Sequence, residues 1–217
     1  PDPLWSRGLG DVYKRQGKRM LSYDESLKIL KETNALLEGH FILSSGLHSN
    51  QYVQCAKLLS YPKQAEIICA SLTEKIKINF NKIDIVLSPA LGGIVVGYEI
   101  GKQLNTQTIF AERENAKSVL RRGFTIPHES NVLIVEDVIT TGKSALECSE
   151  IVKINKANLV GFACIIDRSN NDILIKEKII SQIKINIEVF KENELPDKLK
   201  KTPAVKPGSR NLSNDRN

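Results

Sequence analysis

No apolar run in this chain of 217 residues approaches the roughly 18 residues of a membrane-crossing helix, so a helical membrane protein is excluded. The first residues lack an apolar central stretch, and no cleavable secretory signal is read there. Cysteine is sparse. Cys55, Cys69, Cys148 and Cys164 lie far apart and form no CxxC pair, so zinc-ligand spacing is absent. A disulfide framework is not expected in a chain this long, and the four thiols are read as reduced, mostly small core fillers. Tryptophan and methionine occur once each, at Trp5 and Met20. Charge is present, at +6, but not where a nucleic-acid surface would need it. Residues 1–19 hold five Lys/Arg against two Asp, and residues 191–217 hold seven Lys/Arg against four Asp/Glu. Each end therefore carries +3, and residues 20–190 balance to zero. A neutral body gives no electrostatic footprint for nucleic acid. Neither nucleic acid nor membrane is expected as a partner, and a cytoplasmic location is the default.

Three stretches differ in character. Residues 1–19 show neither a helical nor a strand period and resemble translated adapter sequence, so they are read as a non-native leader, with the native start at Met20. Residues 20–190 carry the periodic pattern of a domain. From Lys191 the sequence turns polar, which predicts a surface tail over 191–217 with a disordered last part. Within the domain, Ser22 and Glu25 form a capping box. Leu27, Leu30, Asn34 and Leu37 mark one helical face, with Gly39 as a stop. Residues 40–54 read as two short strands around a Ser/Gly turn. Ile68, Leu72 and Ile76 place a second helix over Ala65–Ile78.

Beyond that point short apolar runs alternate with helices. Strands are predicted at 84–88, 106–112, 131–137 and 159–167, and helices at Gly92–Leu104 and Thr141–Asn155. This alternation predicts an α/β domain whose central, mostly parallel sheet is flanked by helices. Ligands of such sheets bind at the carboxyl ends of the strands.

The most informative segment is VLIVEDVITTGKSA (132–145). Four apolar residues make a strand, and Glu136 and Asp137 follow. Thr140, Thr141, Gly142, Lys143 and Ser144 then lead into a helix. Gly142 permits close backbone approach, and amides at a helix start suit a phosphate. GKS also closes the nucleotide-binding P-loop, but that motif needs glycine where this chain has Asp137. Ionised carboxylates only accept hydrogen bonds, so sugar hydroxyls are their natural partners beside a phosphate. One loop can thus grip a sugar phosphate from both ends.

This segment resembles the phosphoribosyl pyrophosphate signature of type I phosphoribosyltransferases. SSGLHSNQYVQ (44–54), SPALGGIVVGYEIG (88–101), FAERENAKSVLRRGF (110–124), CIIDRS (164–169) and PAVKPGSR (203–210) resemble, in order, segments of the orotate phosphoribosyltransferase family. The resemblance covers roughly residues 20–210. It implies the type I phosphoribosyltransferase fold, with a small N-terminal hood and a mobile hairpin loop. It also implies Mg²⁺-dependent joining of orotate to phosphoribosyl pyrophosphate, giving orotidine 5′-monophosphate and pyrophosphate.

The family's site residues carry over position by position. Glu136, Asp137, Val138, Ile139, Thr140, Thr141, Gly142, Lys143 and Ser144 would hold the phosphoribosyl group. Ala90, Leu91, Gly92 and Gly93 would form the pyrophosphate loop, with a non-proline cis peptide expected between Ala90 and Leu91. Arg168 and Thr140 would contact orotate, the arginine as a planar fork for its carboxylate, with Tyr52 and Val53 closing over the base. Arg113 and Lys117 would act on pyrophosphate from a loop that closes over the partner subunit's site in a homodimer. Mg²⁺ would be held mainly by substrate and water, with no direct protein ligand.

Departures from better-known relatives are Gly92 and Glu114 in place of lysines, and Val119 near the position of a loop histidine. Arg121 and Arg122 are left between assisting catalysis and supporting structure. Two other readings stay open: a phosphoribosyltransferase for a purine or uracil, and a non-catalytic regulator that keeps the same fold.

Overall fold

The computed structural model describes residues 19–207. The greater part of the expected leader and the far end of the expected tail lie outside them.

The chain opens with helix α1, Tyr23–Glu32, behind the capping box read in the sequence. Ser22 Oγ accepts from the Glu25 amide at 3.2 Å, and Glu25 accepts from the Ser22 amide at 2.8 Å. The helix is shorter than its apolar face implied. Asn34 takes the left-handed conformation at φ 57°, and the Ala35 amide reaches back to the Leu30 carbonyl at 2.8 Å. Asparagine at such a position closes a helix. Leu37 and Gly39 therefore lie in strand β1, Leu36–Ile42, which pairs antiparallel with β2, His48–Val53.

Helix α2, Cys55–Leu59, and helix α3, Pro62–Asn79, lead to the main sheet. Its elements are β3 (Ile85–Pro89), α4 (Gly92–Leu104), β4 (Gln107–Glu114), β5 (Lys117–Leu120), β6 (Asn131–Ile139), α5 (Lys143–Ile154), β7 (Asn158–Asp167) and β8 (Ile179–Lys184). The strand order is β5-β4-β3-β6-β7-β8, parallel except for the β4–β5 hairpin. β3 is buried at all five positions, as expected for a strand covered on both faces. On one face α1, α3 and α4 bury Leu30, Leu72 and Ile100 against Leu133 and Ile165. On the other, α5 buries Cys148 and Val152 against Leu87, Ile134 and Phe162.

Three features depart from the sequence reading. β6 runs to Ile139, two residues past Asp137, because Val138 and Ile139 continue the ladder to Ile166 and Asp167 of β7. α5 begins at Lys143 rather than Thr141, since Gly142 at φ 81° interrupts helical geometry. The polar segment after Lys191 is not wholly a free tail. Strand β9, Val189–Phe190, adds to β2. A 3-10 turn, Glu192–Glu194, and helix α6, Asp197–Lys200, then return the chain to β1. There the Ile42 amide donates to the Val205 carbonyl at 2.8 Å, and Leu199 is only 4% exposed. The hood is thus closed by residues from both ends of the described chain.

Candidate active site

The ends of β3, β6 and β7 bring most of the candidate residues to one edge of the sheet. Thr140, Thr141 and Lys143 are exposed, so the loop between β6 and α5 opens to solvent with the first amides of a twelve-residue helix behind it. Thr141 Oγ1 accepts from the Lys143 amide at 3.4 Å, and its carbonyl accepts from the Leu174 amide at 2.8 Å. Any Cβ at Gly142 would lie 2.6 Å from Ile175, besides requiring a left-handed backbone that L side chains disfavour. Glycine there lets the 170–175 segment pack against the loop from below.

Glu136 and Asp137 stand before this loop. Neighbouring strand residues project to opposite faces, so the two carboxylates flank the sheet end rather than sharing one side. Asp137 lies against Gly92, at the start of α4. Glu136 acts electrostatically on Cys148 of α5. Burial, with a smaller contribution from neighbouring Asp137, pushes the Glu136 carboxyl up to about 8. Burial also raises Asp137, opposed by bonds from the backbone N–H groups of Val138 and Asp137 itself. Neither makes a salt bridge among the described residues. Two half-buried carboxylates without a basic partner fit a site completed by hydroxyls or a divalent cation. Among the described residues, no cluster of three or more His, Cys, Asp or Glu converges as a metal site.

The expected cis peptide is present between Ala90 and Leu91. The Ala90 amide donates to the Ala111 carbonyl at 2.8 Å, which fastens this loop to β4. Leu91 is 84% exposed.

Arg168 follows β7, its amide donating to the Ile139 carbonyl at 2.8 Å. The side chain is half-buried, and its Nε is buried without a hydrogen-bond partner. Burial lowers its basicity, partly offset by Tyr52. Asp167, the obvious structural partner, is engaged elsewhere: it accepts from the Ser169 amide at 2.7 Å and lies 3.7 Å from Lys184. Tyr52 packs at a tilt against Phe41 with centroids 5.7 Å apart, and Val53, at the end of the same strand, is buried. A guanidinium with an unmet donor, beside an aromatic from the hood, can receive a carboxylate-bearing planar base.

The hairpin is tight. Asn115 and Ala116 alone turn β4 into β5, both at positive φ (48° and 63°), the left-handed pair that two-residue hairpins favour. Lys117 is exposed at its tip. Arg113 donates to the Ala116 carbonyl at 3.0 Å and to Glu147 of α5, also at 3.0 Å. Ser118 donates to the same carboxylate at 2.7 Å. Arg122 forms two 2.9 Å bonds to Glu112 and lies over the Phe110 ring, 5.7 Å from its centroid. Sequence reasoning passed over Glu147, although its place four residues after Lys143 on the loop's helix was available as a signal. It also passed over β8 and the Leu174–Ile175 packing.

Residues 59–197 match the family model described as the phosphoribosyl transferase domain, and the fold and this match together define a phosphoribosyltransferase. Orotate phosphoribosyltransferase of Caldicellulosiruptor bescii is 47% identical over 190 residues, covering 88% of this chain and 99% of the relative. That of Caldicellulosiruptor saccharolyticus is 48% identical over 186 residues, covering 86% and 96%. The crystal structure of orotate phosphoribosyltransferase from Aeropyrum pernix superposes with a TM-score of 0.63 at 23% identity, over 73% of this chain and 92% of that one. Adenine phosphoribosyltransferase from Thermoanaerobacter pseudethanolicus gives 0.53 at 16%, over 62% and 88%, so the fold is shared across bases. With relatives near half identity along almost their whole length, the chain belongs to the orotate phosphoribosyltransferase family.

Proposed function

We propose that this protein transfers the phosphoribosyl group of phosphoribosyl pyrophosphate to orotate, yielding orotidine 5′-monophosphate and pyrophosphate, a step of pyrimidine biosynthesis. The observation that carries the reading is one juxtaposition. An open helix-start loop and two unpaired, half-buried carboxylates lie at the end of β6, with the unmet Arg168 donor at the end of the adjoining strand.

The first amides of α5, with the hydroxyls of Thr140, Thr141 and Ser144 and the charge of Lys143, hold the 5′-phosphate. Glu136 and Asp137 accept from the ribose hydroxyls on either side of the sheet end. The Ala90–Gly93 loop receives pyrophosphate. Arg168 and Thr140 engage orotate while Tyr52 and Val53 cover its ring. Orotate N1 bonds to C1 of the ribose as the C1–oxygen bond to pyrophosphate breaks; that bond's electron pair leaves with the pyrophosphate, and the N1 proton passes to pyrophosphate or to water. No protein nucleophile is required. Positioning and electrostatic stabilisation carry the rate, with Arg113 and Lys117 offsetting charge on the departing group.

The proposal includes Mg²⁺ held mainly by substrate oxygens and water. When bound, it supplies positive charge to the pyrophosphate oxygens. It includes a homodimer in which the hairpin also serves the partner subunit's site, and a cytoplasmic location. The phosphoribosyltransferase domain spans residues 20–190 in this reading, with the polar segment after Lys191 docked on its hood.

Separate assays with orotate, uracil, adenine and xanthine test the reading. Consumption of orotate alone, dependent on phosphoribosyl pyrophosphate and Mg²⁺, is expected. Turnover of a purine or uracil in its place would overturn the choice of base. Tight nucleotide or salt-sensitive nucleic-acid binding without turnover would overturn the enzyme.

A further inference from the structure

Arg113 is not a free loop arginine. One of its terminal nitrogens reaches the Ala116 carbonyl across the hairpin turn, and the other lies within 3.0 Å of both Glu147 carboxylate oxygens. Glu147 also accepts from Ser118 on the opposite strand of the hairpin at 2.7 Å. A single carboxylate therefore clasps both strands of the hairpin and fixes them to α5, the helix whose first turn forms the phosphate loop. Glu147 is ionised in this setting. Burial is the largest single influence and raises its carboxyl, but the bonds from Ser118 and Arg113 and the attraction of Arg113 and Lys143 together outweigh it and keep the carboxyl below the usual range.

The clasp sits beside the proposed site. Leu87 is in register with Ile109 on one side and Ile134 on the other. Arg113 is four residues beyond Ile109 and Glu136 is two beyond Ile134, so both extend past the same level of the sheet. Both act on Cys148, the residue after Glu147. The Arg113 side chain stays about half exposed, which leaves part of its fork for an anion.

We propose that Glu147 is a positioning residue for the phosphoribosyl transfer. Its carboxylate orients the Arg113 guanidinium and anchors the hairpin, so the fork is presented to pyrophosphate, in whichever subunit's site the hairpin serves, without a search through the arginine's rotamers. This rests on the pyrophosphate role given to Arg113 above. Long side chains lose substantial entropy when fixed, and a carboxylate behind the guanidinium removes much of that loss before the reaction begins.

The test is a double-substitution cycle on the full chain: Glu147→Ala, Arg113→Ala and the pair, with Glu147→Gln and Ser118→Ala as milder variants. Circular dichroism establishes that each is folded. A charge-assisted bond of this kind predicts that Glu147→Ala lowers kcat/KM for phosphoribosyl pyrophosphate by roughly five- to twentyfold. The KM for orotate should stay near its original value, and Glu147→Gln and Ser118→Ala should fall between. In the Arg113→Ala background, Glu147→Ala should change little, because the group it orients has gone. Unchanged or increased activity in Glu147→Ala and Glu147→Gln, or an equal loss in both backgrounds, would overturn the positioning role while leaving Arg113 in place. A fully active Arg113→Ala enzyme would overturn the reading on which it rests.

Discussion

A methyl group placed on Gly92 would come within 2.9 Å of the Asp137 carboxylate, so the first residue of α4 and the end of β6 leave no room for a side chain between them. This contact joins the Ala90–Gly93 loop, proposed above to receive pyrophosphate, to the carboxylate pair. Gly92→Ala should therefore push the carboxylate aside. The carboxylate need move only a few tenths of an ångström to clear the methyl group, so we expect kcat/KM for phosphoribosyl pyrophosphate to fall by roughly two- to fivefold, with a small change in melting temperature. Steady-state kinetics beside thermal denaturation checks it, and unaltered kinetics would contradict the placement of Asp137.

Glu136 makes ligand-free stability depend on pH. Its folded pKa of about 8 lies above the ordinary 4.5, so the folded chain holds this proton more tightly than the unfolded chain. The resulting stability is fully present below about 4.5 and is lost as pH rises through about 8. Asp137 is shifted in the same direction. Melting temperatures between pH 5 and 8 should fall more steeply for the original protein than for Glu136→Gln. That variant should also be the more stable of the two at the alkaline end, and nearly inactive. Parallel curves would remove the buried-carboxylate account.

Arg168 should show in orotate binding rather than in folding. Its Nε lacks a partner, and Asp167 already has two. Arg168→Ala is expected to raise the KM for orotate by at least tenfold and leave that for phosphoribosyl pyrophosphate within a fewfold. Arg168→Lys should restore little, because a point charge does not reproduce the fork. The KM pair for each variant decides this.

The polar segment after Lys191 should matter to stability. Leu199 is buried against the hood, and Val205 bonds to β1 through both its amide and its carbonyl. Leu199→Ala should cost about 2–5 kcal/mol in denaturant unfolding, the usual range for a buried leucine. A change within about 0.5 kcal/mol, typical of surface positions, would show the segment to be unimportant.

The parts legible in the sequence were those written in local patterns. The capping box, the Gly92–Leu104 helix, the buried apolar strands and the Thr/Gly loop all follow from neighbours in the chain. So does the contrast between Arg168 and its surroundings, once β7 is seen to end there. The parts missed depend on distant partners. α1 ends where Asn34 turns left-handed, although Leu37 continues its apolar spacing, because Leu36 and Leu37 gain strand partners at Val53 and Tyr52. β6 outlasts its carboxylates because β7 continues the ladder beside it. The docked segment near Leu199 is polar in composition and holds its place through one leucine and a few backbone bonds. Glu147 looks like any helix-surface acid until the hairpin folds over it.

The most direct measurement is a structure with orotidine 5′-monophosphate bound. The 5′-phosphate is expected on the Thr141–Ser144 amides, the ribose hydroxyls on Glu136 and Asp137, and the base carboxylate on Arg168. A nucleotide bound elsewhere, with those amides and carboxylates facing only water, would contradict the proposed function.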